Sequence, residues 1–573
     1  MSGARPALFW VLLLSVAESV IGLNACGGGG AAQPSDVADF KVTATALSPA
    51  TVTQGKSSTA SVTITAFNGF VASVALSCTG LPSGATCSFN PASIANGSGS
   101  SQLTVSTSTA SPPGGYSVAV MATSAATVHK APLTLGVQSI IQHVVIIFQE
   151  NRTPDNLFHG LPGADIADSG TDSHGNVITL TPEATGLVAP YDLSHSHLAF
   201  LDMYDGGKMD GADKIPSACE KNNPGCKIPP HPSFQYVDPS VVQPYFTMAE
   251  TYTFGDRMFQ TNQGPSFPAH QFIISGNSVP NTTSNSFVAE NPGGTVDALT
   301  DTGCTAPLAE LVPLIDASTG DESQAIYPCF EHPTITDLLN AQSLSWKYYA
   351  PSSGSIWTAP NAIRHMCVPD PSGLTCTGSD WTNNVVLASA QNPDPVLTDI
   401  ANGKLAAVTW VIPDGDESDH SGITMTGAGP SWVASIVNAI GASPFWSNTA
   451  IIITWDDWGG WYDHAAPPSV LNAYEFGFRV PLIVVSPYAK PAFVSHTFYD
   501  FGSILKFVEA TFALPTVAPG AMLTYADEFS GPGDLSDCFD FNQAPVPFQA
   551  IPASLDARYF LNNHTPRTDP DDD

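Results

Sequence analysis

Two segments of this chain are apolar at nearly every position: Val144-Val145-Ile146-Ile147-Phe148 and Ala450-Ile451-Ile452-Ile453-Thr454-Trp455. A strand with one wet face alternates polar and apolar residues. A run without alternation must be buried on both faces, as happens in a mostly parallel sheet covered by helices. Val480-Pro481-Leu482-Ile483-Val484-Val485 is a third such run, and Val408-Thr409-Trp410-Val411-Ile412 is strand-like. Helical periodicity over 431–440 and 503–512 supplies the covering layers. These features predict an α/β fold with a large, mostly parallel sheet, helices on both faces and a site at the carboxyl ends of its strands.

Each run ends in polar residues. The first delivers Gln149-Glu150-Asn151-Arg152, the second Asp456-Asp457 and the third Ser486-Pro487. Glu150, Asn151, Asp456 and Asp457 offer hard oxygen ligands suited to a divalent cation. Three carboxylates converging without one would repel, although either pair alone fits helix capping or a solvated loop equally well.

Ser266 stands in Gln263-Gly264-Pro265-Ser266-Phe267-Pro268-Ala269-His270. The Gly-Pro approach and the helical run behind it put this hydroxyl at a helix N-terminus, where backbone amides favour a phosphate dianion. An N-cap serine would occupy the same position, and capping and nucleophilic attack can coexist. Histidines complete the candidates: His420 after a strand-like segment, His195 in Ser194-His195-Ser196-His197, and His464 closing Trp461-Tyr462-Asp463-His464.

The rest of the chain is organised differently. Residues 38–138 alternate Val, Thr and Ser in short runs broken by Gly and Pro, a β-sandwich pattern. Leu76 to Pro91 resembles the bacterial Ig-like modules in which Leu-Ser-Cys-x-Gly-Leu-Pro-x-Gly-Ala-x-Cys recurs. Arg5 and the apolar Ala7 to Val16 precede Leu23-Asn24-Ala25-Cys26, which resembles a lipobox with Cys26 lipidated; an ordinary cleaved signal peptide is the alternative. Both imply export, and residues 1–37 read as signal and tether. Ten cysteines suit an oxidising compartment. Beyond Cys26 they fall into close pairs, each a candidate local disulfide: Cys78 with Cys87, Cys219 with Cys226, Cys304 with Cys329, and Cys367 with Cys376, leaving Cys538. With 51 Asp+Glu against 18 Lys+Arg, the chain offers no basic stripe, which excludes nucleic acid as a partner. The Gly/Pro-rich stretches 160–245 and 277–380 read as loops walling a pocket, and 546–573 as a C-terminal tail.

Four blocks in order resemble the phosphoesterase family of bacterial phospholipases C and metal-dependent acid phosphatases, a branch of the alkaline-phosphatase-like fold. They are His143 to Phe158, the Gly-Pro-Ser segment, Asp456 to His464 with Pro467-Pro468, and Arg479-Val480-Pro481 through Ser486-Pro487. The resemblance implies a catalytic domain over 139–545. It also implies one metal ion bound by Glu150, Asn151, Asp456, Asp457 and the Ser266 oxygen. Its all-oxygen ligation leaves calcium, magnesium, manganese and iron open. Ser266 would be the nucleophile, passing through a phosphoserine, with His420 and His195 serving the phosphoryl oxygens or the leaving group, and His464 stays a candidate by position alone. The implied substrate is a phosphate ester, with phospholipid and phosphomonoester both open; the membrane would be met only through the N-terminal anchor. A non-catalytic surface adhesion protein is the competing class. Thr153-Pro154, His270 and Phe501 depart from the family pattern, at positions expected around the pocket rather than on the metal ligands.

Overall fold

The apolar runs lie side by side. The computed structural model describes residues 37–219, 225–293, 302–422, 424, 426–468 and 471–565. In it, His143–Gln149 (β1), Thr253–Phe259 (β2), Trp346–Ala350 (β3), Val385–Leu387 (β4), Val408–Val411 (β5), Thr449–Trp455 (β6), Arg479–Val485 (β7) and Phe493–Ser495 (β8) form one eight-stranded sheet. Their order is β4-β3-β5-β1-β6-β7-β2-β8. Neighbours are parallel except around β7, which runs against both β6 and β2.

Every residue of β6, and of β1 from Val144 onward, is buried. Full burial of each large aliphatic side chain contributes about 1.5–3 kcal/mol, so the two runs anchor the sheet's centre. Helix His197–Tyr204 (α1) packs in a smaller apolar cluster, and Gln243–Thr251 (α2), Ser266–Ser275 (α3), Gly429–Gly441 (α4), Phe501–Phe512 (α5) and Ala557–Leu561 (α6) pack on the core of the sheet. The β1–β6 register sets Phe148 beside Thr454 and Gln149 beside Trp455, so Phe148 and Trp455 point to opposite faces. Phe148 meets His270 of α3 and Phe501 of α5, with ring centroids 4.8 and 5.2 Å away. Trp455 meets Tyr245 of α2 at 5.1 Å. The mixed α/β sheet therefore carries helices on both sides.

Three expectations change. Because β7 is antiparallel, Ser486-Pro487 leaves the sheet at the edge opposite the Glu150 and Asp456 ends, and Arg479 is the β7 residue that reaches their edge. A strand buried on both faces has the same composition in either direction, so the run could not reveal this. The stretches 160–245 and 277–380 are not plain loops. The first contains α1 and a small apolar cluster with Trp458, Trp461 and Phe478. The second contains β3, a three-stranded sheet and two disulfides. Finally, the segment expected as a tail packs on α4: Ile551 and Phe560 are buried, and Ile551 N donates to Asn438 Oδ1 at 2.7 Å.

Residues Asp39 to Gln138 form two sheets, of four and five strands. They enclose a separate core that includes Val62, Val105, Val118 and Val120. The cysteines pair as their spacing predicts. Cys78 is bonded to Cys87 within the N-terminal sheets, and Cys219 to Cys226 beyond α1. Cys304 is bonded to Cys329 and Cys367 to Cys376, both in the stretch 277–380. These four bridges are structural staples, since none of the eight cysteines contributes to the carboxylate cluster described below. Cys538 is a buried thiol. Cys26 lies outside the described residues.

Candidate active site

Because β1 and β6 are parallel neighbours, their carboxyl ends deliver Glu150-Asn151 and Asp456-Asp457 side by side. Asp456 N donates to Gln149 O at 2.9 Å, extending the ladder one residue past the sheet. There Asn151 turns into the left-handed region with φ 60°, which its short polar side chain tolerates better than most residues. Gly459 lies against this bend: a Cβ there would come within 2.6 Å of Asn151 O.

Helix α3 points Ser266 at the same place. Its Oγ donates to Glu150 Oε2 and Asp457 Oδ2, at 3.3 Å each. The next amide, Phe267 N, donates to Asn291 Oδ1 at 2.9 Å, so Asn291 serves the helix end and the Ser266 hydroxyl remains turned to the carboxylates. One turn along α3, His270 Nε2 lies 3.0 Å from Glu150 Oε1 and 4.0 Å from Asp456 Oδ2. His270 was expected away from the ligands, and the structure corrects that.

The cluster is closed to water. Glu150, Ser266, His270, Asp456 and Asp457 are fully buried. Burial, reinforced by Asp456, pushes the Asp457 carboxyl well above its ordinary range, and burial raises Asp456 as well. Burial also drives His270 down to about 3, against a small opposing effect of the Trp357 backbone, so its imidazole is neutral. Three carboxyl groups together in a dry site are costly unless protonated or matched by a cation.

Asn151 supplies an independent test of fit for a cation. With its Nδ2 donating to His195 Nε2 at 3.1 Å, its carbonyl oxygen faces Glu150 Oε2 and Asp456 Oδ1 at 2.9 Å with no proton between them. Turning the amide over relieves that contact; so would a cation among the three oxygens. Asp456 Oδ2 is also buried without a hydrogen-bond partner. The expected ligands Glu150, Asn151, Ser266, Asp456 and Asp457 therefore converge, and their chemistry fits a divalent ion.

The histidines divide. His195 and His420 both set Nε2 3.1 Å from the far end of the Asn151 amide. Their Nδ1 atoms lie 2.9 Å from Leu193 O and 2.6 Å from Ser421 O, contacts that fix the rings. His464 belongs elsewhere. Its Nδ1 lies 2.8 Å from Asp155 Oδ2 and its Nε2 3.2 Å from Asp165 Oδ1. It shares that network with Arg479, which is bound to Asp463 at 2.9 Å, and makes none of these contacts with the serine cluster.

Several supporting residues escaped the sequence reading. Arg152 is buried and donates through Nε and Nη2 to Asp419 O; Asp419 in turn accepts from Tyr245 and Trp455. Trp357 lies between two site rings, 6.5 Å from His270 and 6.4 Å from His420. The one legible signal was the four-residue spacing of Ser266 and His270, which puts both on one helix face.

A family model described as the Phosphoesterase family matches residues 141–515. Among curated proteins, the non-haemolytic phospholipase C of Pseudomonas aeruginosa is 22% identical over 472 residues, covering 73% of this chain and 60% of that enzyme. Phospholipase C A of Mycobacterium tuberculosis is 23% identical over 458 residues, 71% of this chain and 78% of that one. A non-haemolytic phospholipase C of Burkholderia pseudomallei is 28% identical over 191 residues, 28% of this chain and 26% of that protein. The chain thus spans about three-fifths of the Pseudomonas enzyme's length.

Proposed function

The chain belongs to the Phosphoesterase family, and from that premise we propose that it is an exported, metal-dependent hydrolase of phosphoric esters that works through a phosphoserine at Ser266. The observation that carries this is the meeting of Ser266 Oγ with Glu150 Oε2 and Asp457 Oδ2 at the N-terminus of α3. A divalent cation held by Glu150, Asn151, Ser266, Asp456 and Asp457 would supply positive charge to the phosphoryl oxygens and to the attacking hydroxyl.

The protein's own groups then have defined tasks. Ser266 Oγ gives its proton to one of the two carboxylates it touches and forms the Oγ–P bond as the leaving-group P–O bond breaks in line. The N-terminus of α3 sets the positive end of its dipole beside the phosphoryl group, with Phe267 N committed to Asn291 Oδ1 and Pro268 carrying no amide hydrogen. His195 or His420 protonates the departing alkoxide from Nε2, the nitrogen that otherwise meets the Asn151 amide, while Leu193 O and Ser421 O hold the rings at Nδ1; water then cleaves the phosphoserine. Burial of the whole cluster keeps bulk water from competing for these charges.

The proposed domain plan is a signal and tether to 37, an Ig-like sandwich over 38–138 acting as a spacer, a catalytic domain over 139–545 and a C-terminal segment. Export rests on the N-terminal pattern and the four disulfides; lipid anchorage at Cys26 is part of the same proposal. No helix among the described residues is long and apolar enough to cross a membrane. The relatives' names point to phospholipid, while the substrate class itself is decided by assay. Turnover of p-nitrophenyl phosphate and p-nitrophenylphosphorylcholine, each with and without chelator, separates phosphomonoesterase from phospholipase C. Ser266→Ala should lower either activity by about 10³-fold or more. A variant with undiminished turnover would remove Ser266 from the mechanism, and no turnover of either substrate by the wild type would rule out both activities and leave the adhesion class.

A further inference from the structure

His270 touches the proposed metal ligands, and its chemistry differs from theirs. Glu150, His270 and Asp456 each offer a ligand atom within 4.8 Å of the others', and all three residues are buried. Resting on the metal-dependent reading above, we propose that His270 is a direct nitrogen ligand of the cation. The site would then be a mixed nitrogen–oxygen one that prefers a borderline transition metal such as zinc or iron over calcium or magnesium.

The distances suit shared coordination. Two atoms about 2.1 Å from one ion and at right angles to each other lie about 3.0 Å apart. Glu150 Oε1 and His270 Nε2 are separated by 3.0 Å. Asp456 Oδ2 at 4.0 Å from the same nitrogen corresponds to a wider angle at the ion. The alternative is that His270 only donates a hydrogen bond to Glu150. In that alternative oxygen alone holds the cation. In the proposed one Glu150 and Asp456 turn both carboxylate oxygens to it, Oε2 and Oδ1 on the Asn151 side and Oε1 and the otherwise unpartnered Oδ2 on the His270 side. The backbone makes the placement firm. Ser266 and His270 are one turn apart on α3, so the helix that presents the nucleophile presents the imidazole to the same carboxylates. Imidazole suits zinc and iron, whereas calcium and magnesium favour oxygen-only cages.

The test uses Mn2+ as probe, bound to the full chain and read by pulsed electron paramagnetic resonance. A directly coordinated 14N should appear in the wild type, persist in the His195→Ala/His420→Ala double variant and vanish in His270→Ala. Zn2+ affinity, measured by competition with a chromophoric chelator, should fall at least about 100-fold in His270→Ala. Stoichiometric Mn2+ with no bound nitrogen, or a nitrogen signal that disappears in the double variant, overturns the proposal. If His270→Ala does not fold, the double-variant spectrum decides alone. Failure of the wild type to bind any ion would instead sink the metal-dependent reading itself.

Discussion

At the scale of single residues, the two kinds of histidine separate by what they face. His270 is enclosed by aromatic rings, and burial keeps it neutral. His464 is partly exposed among carboxylates. Burial alone would lower its pKa, but the hydrogen bond and charge of Asp155, with Asp463 behind, outweigh both burial and Arg479 and raise it to about 8. A folded-state pKa above the unfolded value of about 6.5 means that protonated His464 stabilises the fold below about pH 6.5. That contribution disappears as pH rises through about 8. The shift corresponds to about 2 kcal/mol. His464→Asn should therefore be less stable than wild type by about that amount at pH 6 and equal to it near pH 9, by denaturant unfolding. An equal gap at both pH values would mean that packing, not charge, sets the residue's role. In sequence, His464 looked as good a candidate as His420, since both follow strands in acidic loops. What separates them is which carboxylates fold against them, and Asp155 and Asp165 come from a different part of the chain.

Elements explain why the site forms where it does. The approach to α3 is built from backbone in close quarters: a Cβ on Gly264 would lie 2.4 Å from Ala289 O and 2.5 Å from the Tyr474 hydroxyl. Gly264 O also accepts from Gln260 Nε2 and Asn262 Nδ2 at 3.1 and 3.0 Å. Gly264→Ala must push this turn aside, costing about 1–3 kcal/mol of stability, and it should displace Ser266 and lower kcat by more than its effect on KM. Steady-state kinetics beside thermal unfolding checks this; a variant with wild-type kcat would show that the turn does not position the hydroxyl. The central strands were legible because Val144 to Phe148 and Ala450 to Trp455 are buried on both faces and cannot alternate. Strand β3 was not, because Trp346-Lys347-Tyr348-Tyr349-Ala350 is short, carries a lysine and has three aromatic residues in five. Nor could composition show that β7 reverses, so Arg479, not Ser486, joins the network at the site edge. His270 was hidden for a related reason: one histidine on an apolar helix normally belongs to a core. Its significance lies in contact with Glu150, 120 residues away in sequence.

For the molecule as a whole, the decisive fact is that burial is divided. The core around the eight-stranded sheet and the core between the two N-terminal sheets share no residue. Contacts across the junction include Ile140 N donating to Gln54 Oε1 at 3.2 Å and Thr109 Oγ1 donating to Asn542 Oδ1 at 2.8 Å. Hydrogen bonds of this kind contribute about 1 kcal/mol each, little beside two apolar cores. A chain of residues 139–573 should then fold by itself and hydrolyse p-nitrophenyl phosphate with kcat/KM within about threefold of the full chain, as expected of units with separate cores. The full chain should unfold in two calorimetric steps and the shortened one in a single step that coincides with one of them. The sandwich contributes none of the groups at the serine cluster, so any activity lost on its removal would have to come from destabilising the α/β unit. A shortened chain that keeps its unfolding temperature but loses soluble turnover would contradict the spacer role and require the N-terminal sheets to take part in catalysis.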